Sequence, residues 1–248
     1  MRIVTISDTH NKHKRLELPD GDLLIHSGDL SSYGYKHEIE SVLSFFRKQL
    51  PKYEKGIVFI AGNHDRSFDP KYFREYEDHD LFVMHEEPEK PMWLQNMLSD
   101  LGIEETGIEY LEDNSVTVDG VKIWGSPITP WFNGERWGFN KHRGDEINKV
   151  WKEIPNDTDI IITHGPAFGQ GDWIPETQEY VGCNDLRNHV LRVKPLLHVF
   201  GHIHSGYGTS YNQDTTFVNP SILNNNYEII HKPIVIDLDK ENKEIKIL

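Results

Sequence analysis

Side chains able to hold a divalent cation recur along this sequence in short clusters, each directly behind a short apolar run. Asp8-Thr9-His10 follows Ile3-Val4-Thr5-Ile6, and Gly28-Asp29 follows Leu23-Leu24-Ile25. Gly62-Asn63-His64-Asp65 follows Ile57-Val58-Phe59-Ile60, His164-Gly165 follows Ile160-Ile161-Ile162, and Gly201-His202-Ile203-His204 follows Leu196-Leu197-His198-Val199-Phe200. The donors are Asp8, His10, Asp29, Asn63, His164, His202 and His204: carboxylate, imidazole and amide oxygen, with no thiolate. That mixture suits Mn²⁺, Fe or Zn²⁺, with Mg²⁺ a further candidate, and is too rich in nitrogen for a pure Mg²⁺ or Ca²⁺ cage. So many donors exceed the needs of one ion. Two ions roughly 3.5–4 Å apart, bridged by one carboxylate and one solvent oxygen, use the whole set and generate hydroxide beside a clamped phosphoryl oxygen.

Taken singly, an Asp-x-His is as readily a helix cap, and Gly-Asn-His-Asp a turn. The recurrence at successive strand ends is what points to one site, because residues just past the carboxyl ends of neighbouring strands share a crevice in layered α/β proteins. Asp-x-His and His-x-His place both side chains on one side of an extended segment. Gly28, Gly62, Gly165 and Gly201 let the backbone turn sharply there or approach other groups.

The apolar runs have strand length and β-branched composition, as does Val121-Lys122-Ile123-Trp124. Between them, Ile39, Val42, Leu43, Phe46 and Leu50, then Leu94, Met97, Leu98 and Leu101, then Ile147, Val150, Trp151 and Ile154 have helical spacing. Asp119-Gly120 predicts a tight hairpin, and a second hairpin is expected around Asp239 to Asn242, so the sheet should be mixed. With no repeat, low-complexity tract or flexible linker, one domain over residues 1–248 is the expectation.

Composition excludes several classes of function. A net charge of −14 disfavours extended nucleic acid as a partner. No apolar run approaches the ~20 residues of a membrane span, and the short run before Asp8 reads as a first strand rather than a signal peptide. The single cysteine, Cys183, cannot form an intrachain disulfide, which suits the cytoplasm; it reads as a small buried residue. The histidines at 13, 26, 37, 79, 85, 142, 189, 198 and 231 carry no pattern and read as surface or core, with His198 in the core. The basic run Lys12 to Arg15 reads as a solvated turn.

The ordered set D-x-H, G-D, G-N-H-D, H and G-H-x-H, present from Asp8 to His204, resembles the signature of the calcineurin-like metallophosphoesterases. The resemblance implies an α/β fold of four layers, two mixed sheets packed as a sandwich and flanked by helices. It implies Asp8, His10, Asp29 and His204 on one metal and Asp29, Asn63, His164 and His202 on the other, with Asp29 as the bridge. His64 would face the substrate phosphate beside Asn63 and protonate the leaving oxygen or stabilise the transition state, and Asp65 would orient its ring. Gly125-Ser126-Pro127, Trp131-Phe132-Asn133, Trp137-Gly138-Phe139-Asn140, Arg143-Gly144, Thr163-His164-Gly165-Pro166, Val181-Gly182-Cys183 and Gly206-Tyr207-Gly208 are similar to the metallophosphoesterase-domain-containing class of small phosphodiesterases.

The expected activity is therefore hydrolysis of a small phosphodiester or nucleotide, cyclic nucleotides included, by a hydroxide bridging two metals, of which Mn²⁺ is the first choice. For the aromatic stretch 131–139 two readings stay open. Phe132 and Trp137 could stack a base, with Arg136 or Arg143 on phosphate, or the loop could pin the core. A phosphomonoesterase or protein phosphatase on the same scaffold is the alternative, weakened because the arginines such phosphatases carry beside the second and third motifs are missing. A catalytically weak metal-binding scaffold is the other, although no ligand is missing.

Overall fold

The computed structural model describes residues 1–71, 90–132 and 136–248; His79, His85 and Asn133 lie outside them. In the first of two six-stranded mixed sheets, β1 (Arg2–Ile6), β2 (Leu23–Ser27), β3 (Ile57–Ile60) and β4 (Ile108–Tyr110) are parallel. Antiparallel β15 (Ile234–Asp239) and β16 (Glu244–Ile247) extend it beyond β1. In the second, β6 (Val121–Ser126), β9 (Ile160–Thr163), β12 (Leu197–Val199) and β14 (Thr216–Asn219) are parallel. Antiparallel β5 (Asn114–Val118) and β13 (Gly208–Tyr211) close its edges. Two short pairs stand apart from both sheets, β7 (Thr129–Pro130) with β8 (Asn140–Lys141) and β10 (Trp173–Ile174) with β11 (Glu179–Tyr180).

Burial explains why the strands read as unbroken apolar runs. Ile3, Leu23, Ile25, Val58 and Ile60 of the first sheet share one cluster with Ile123, Ile160, Ile162, Leu197 and Val199 of the second. The alternate residues, Val4, Ile6, Leu24, Phe59, Trp124 and Ile161, face outward into the layer occupied by helices. A strand covered on both faces has no polar side to reveal its period. Helix α1 (Lys36–Gln49) lays Phe46 against Phe59, ring centroids 5.3 Å apart. Beyond α2 (Met92–Ser99), α3 (Asp145–Lys152) turns Trp151 edge-on to Trp124 at 6.2 Å. Helix α4 (Asn184–Val193) was not among the expected helices, although Leu186, Val190 and Val193 form its buried stripe. Cys183 caps it, the Sγ accepting the Leu186 N–H at 3.4 Å, as a buried thiol rather than a ligand.

The Asp119-Gly120 hairpin forms as expected, with both φ angles positive and Val118 paired to Val121. The run Lys12 to Arg15 is not simply solvated. His13 is buried in the 3-10 turn His13–Arg15, its ring 5.2 Å from that of Phe45 and Nε2 3.0 Å from the Ser41 hydroxyl.

His198, in the middle of β12, is fully buried and should make folding depend on pH. Thr163 Oγ1 donates to the Gly165 carbonyl at 2.7 Å, so at 2.8 Å it accepts from His198 Nε2–H. The remaining ring nitrogen, Nδ1, is buried without a partner, and burial pulls the imidazole down to about 3. Below the unfolded value of about 6.5 the unfolded chain takes up a proton that the folded chain refuses, so stability is complete above that pH and declines as pH falls toward 3. His198→Gln keeps a donor near Nε2 and removes the titration. Between pH 8 and pH 5 its unfolding free energy, measured in urea, should fall by about 2 kcal/mol less than that of the unaltered chain.

Candidate metal centre

All five motif-bearing strands deliver their clusters to one place, and a sixth, β14, joins them. His10 sits with Asp8 and His204, with Asp29 and His64, while Asp29 also sits with His164 and His202; within each trio the donor atoms lie within 4.8 Å of one another. Asp29 Oδ2 is 3.3 Å from His164 Nε2 and 3.5 Å from His10 Nε2, and Asp8 Oδ1 is 3.4 Å from His204 Nε2. Asn63 Oδ1 is 3.0 Å from His164 Nε2. Except for His64, His202 and His204, which are half-buried, these eight residues are buried.

The backbone bends hard to achieve this. Asp8, His10, Asp29 and His202 all have positive φ, between 37° and 67°, a region unfavourable to side chains other than Asn and Asp and typical of functional sites. Gly28, with φ +100°, packs where a Cβ would come within 2.7 Å of the Ala61 carbonyl. A Cβ on Gly201 would collide with Ser7 Oγ and Asp8 Oδ2. Gly165 makes no such close approach, a Cβ there meeting Thr129 at an ordinary 3.4 Å.

Hydrogen bonds fix which nitrogen each ring presents. His164 Nδ1–H donates to the Ser27 carbonyl at 2.9 Å and His204 Nδ1–H to the Asn224 carbonyl at 3.0 Å, leaving both Nε2 atoms turned to carboxylates. Two acceptor oxygens, from Asp29 and Asn63, therefore converge on His164 Nε2, an arrangement satisfied by a shared proton or by a cation. Burial lowers His164, but the Asp29 carboxylate outweighs it and lifts the ring to about 9. Burial likewise raises Asp29, while His164 and His64 draw it well below the usual carboxylate range. His10 is the clearest sign of a cation site: both ring nitrogens are buried without a hydrogen-bond partner, and burial lowers it to about 3, keeping it neutral and able to ligate. Burial does the same to His202. The donor set and the orphaned ring of His10 fit divalent cations.

The supporting residues were not legible as such. His26 Nδ1 accepts the Gly28 N–H at 3.3 Å, and its Nε2–H reaches Thr9 Oγ1 at 3.0 Å, pinning the loop that carries Asp29. Ser221, just past β14, donates to Asp8 Oδ2 at 2.6 Å. Two expectations are corrected. Asp65 does not orient the His64 ring: its buried carboxylate accepts from the backbone N–H groups of Leu30, Ser31 and Gly62 and from the Ser31 hydroxyl, tying the second motif to the third. The His64 ring is held instead by the Ser32 carbonyl, 2.8 Å from Nδ1. Arg143 is not a phosphate partner, because its guanidinium donates to the Val181 and Gly182 carbonyls at 2.6 and 2.7 Å.

A cavity of about 270 Å³ opens over the donors, with Asn63, His64, Phe132 and Trp137 in its wall; Arg136 is exposed and does not line it. Ile174, Ser205, Asn225 and Tyr227 also line it, from segments outside every motif. Phe132 and Trp137 are nearly parallel, 13° apart with centroids 6.5 Å distant, and Trp137 lies 4.3 Å from His64.

Two mixed sheets that gather a buried His/Asp cluster at their carboxyl edges define a metallophosphoesterase. Residues 1–206 match the family model of calcineurin-like phosphoesterases, and the chain belongs to that family, whose members are generally hydrolases that bind two metal ions. It is 44% identical over 239 residues to metallophosphoesterase domain-containing protein 1 of Homo sapiens, covering 96% of this chain and 71% of that one. It is 33% identical over 247 residues to UPF0046 protein K07C11.7 of Caenorhabditis elegans, covering 97% and 76%. The solved structure of TT1561 from Thermus thermophilus has the same fold, with a TM-score of 0.61 at 13% identity over 100% of this chain and 97% of that one. No helix among the described residues is long and apolar enough to cross a membrane.

Proposed function

We propose that this chain hydrolyses small phosphodiesters, with Asp8, His10, Asp29 and His204 holding one divalent cation and Asp29, Asn63, His164 and His202 a second. Mn²⁺ is the first choice, with Fe, Zn²⁺ or Mg²⁺ as alternatives. Cyclic and other nucleotide diesters are the substrate class, and a cytoplasmic setting suits the single free thiol. The observation that carries the diester reading is that, among the described residues, no arginine or lysine lines the cavity over the donors. A monoester brings a second full negative charge that such side chains would meet, whereas a diester brings one.

Bound there, the cations supply positive charge for the phosphoryl oxygens and lower the pKa of a coordinated water. The protein's own groups do the rest. As the new O–P bond forms and the ester P–O bond breaks, His64, steadied at Nδ1 by Ser32, has Nε2 left to give a proton to the departing oxygen. Asn63 and His64 flank the phosphate, and Phe132 and Trp137 offer flat faces to a base or aryl group.

The test is turnover by Mn²⁺-supplemented protein of bis(4-nitrophenyl) phosphate against 4-nitrophenyl phosphate and a phosphopeptide. We expect the diester to lead by about tenfold or more in kcat/KM. A faster monoester or phosphopeptide would replace this reading with a phosphatase.

A further inference from the structure

A second cleft, about 370 Å³, adjoins the cavity over the donors. The two share His64, Trp137 and Tyr227 as a common wall. The second cleft reaches the candidate ligand His10 and continues outward past Ser32 and Tyr33 to Lys12. Its walls are three aromatic rings, and Tyr227 is fixed at φ 59° by its N–H bond to the Asn224 carbonyl, the same oxygen that receives His204 Nδ1–H. Its position is thus tied to the donor cluster.

Charge distinguishes this cleft from its neighbour. Lys12 is half-buried, and its ammonium has no hydrogen-bond or ion-pair partner among the described residues. Tyr33, in the wall of the cleft, carries the Arg66 guanidinium 5.3 Å from its ring centre. Among the described residues Lys12 is the one lysine or arginine that lines this cleft, whereas none lines its neighbour.

A phosphorus atom held at the donors has two ester substituents, and they diverge. A cyclic diester returns both to one sugar and needs only the cavity beside Phe132. A linear diester of two separate alcohols has a second arm to place, and the cleft that reaches His10 offers it a place between Tyr33, Trp137 and Tyr227, with Lys12 in the same wall. Resting on the diesterase reading, we propose that this cleft is the second-arm subsite of a linear nucleotide diester, with aromatic walls for its base and Lys12 for a further phosphate carried on that arm.

The experiment compares the dinucleotide ApA with its forms bearing a terminal phosphate at the 5′ end (pApA) or the 3′ end (ApAp), with bis(4-nitrophenyl) phosphate alongside, on Mn²⁺-loaded protein. We expect one of the two phosphorylated forms to exceed ApA by about tenfold in kcat/KM, carried by KM, as a charge-assisted contact gives. Lys12→Ala should bring that ratio to near one, Lys12→Glu below one, and Lys12→Arg should retain most of it. Which phosphorylated form responds identifies the arm that enters the cleft. Equal rates for all three dinucleotides, or a preference that survives Lys12→Ala, would overturn the subsite while leaving diester hydrolysis standing. Failure to turn over even bis(4-nitrophenyl) phosphate would remove the diesterase reading and the subsite with it.

Discussion

Replacing Asp29 with asparagine should lower kcat/KM for an aryl diester by about a thousandfold or more and abolish the rise in thermal midpoint that added Mn²⁺ produces in the unaltered chain. Asp29 is the one carboxylate common to the trio with His10 and the trio with His164 and His202. Its Oδ1 accepts the His64 N–H at 2.8 Å, while Oδ2 faces His10 and His164. Asparagine matches the volume and keeps an oxygen for the His64 N–H, so the loop can retain its shape. The other position becomes an NH₂ group, which carries no negative charge and offers no lone pair to a cation. The loss is therefore one of metal binding rather than of folding. Thermal midpoints with and without Mn²⁺ separate the two, because only a folded variant unresponsive to metal has the expected signature. Undiminished turnover in Asp29→Asn would reject a dimetal mechanism built on this residue.

Much of this centre was legible because burial and chemistry use different letters. Strands covered on both faces appear as runs such as Ile160-Ile161-Ile162, so a polar cluster immediately behind one stands out. The parallel sheets then place all such clusters on one edge. What the sequence concealed has physical reasons too. β14 has only Phe217 and Val218 buried as large apolar side chains, too short a signal to announce the strand that brings Ser221 to Asp8. His26 resembles any core histidine until the Gly28 N–H and Thr9 hydroxyl are seen against it. Asp65 and Arg143 have the right chemistry for the site, but the backbone claims them: one carboxylate gathers three N–H groups, and one guanidinium is taken by two carbonyls. Tyr227 and Asn225 come from the irregular segment that follows Ser221, where no periodicity points anywhere.

Removing the His64 imidazole should have a different signature from losing Asp29. In His64→Ala, metal content and the Mn²⁺-induced rise in thermal midpoint should survive, while kcat for a diester with an alkoxide leaving group falls by about 10²–10⁴-fold. The ring stands edge-on to His10, centroids 4.5 Å apart at 84°, and lines both clefts, so on the proposed reading it would meet the phosphate from beside the buried donors rather than from among them. Its Nδ1 is committed to the Ser32 carbonyl, and the segment carrying Ser32 is itself held by Glu38, whose Oε2 accepts the N–H groups of Tyr33 at 3.1 Å and Tyr35 at 3.0 Å. An alkoxide needs a proton as the P–O bond breaks; a 4-nitrophenolate does not. If His64 supplies that proton, His64→Ala should slow a nucleotide diester far more than bis(4-nitrophenyl) phosphate. Equal losses on the two substrates would instead assign His64 to stabilising charge on the phosphoryl oxygens, because that contribution is the same whichever oxygen departs.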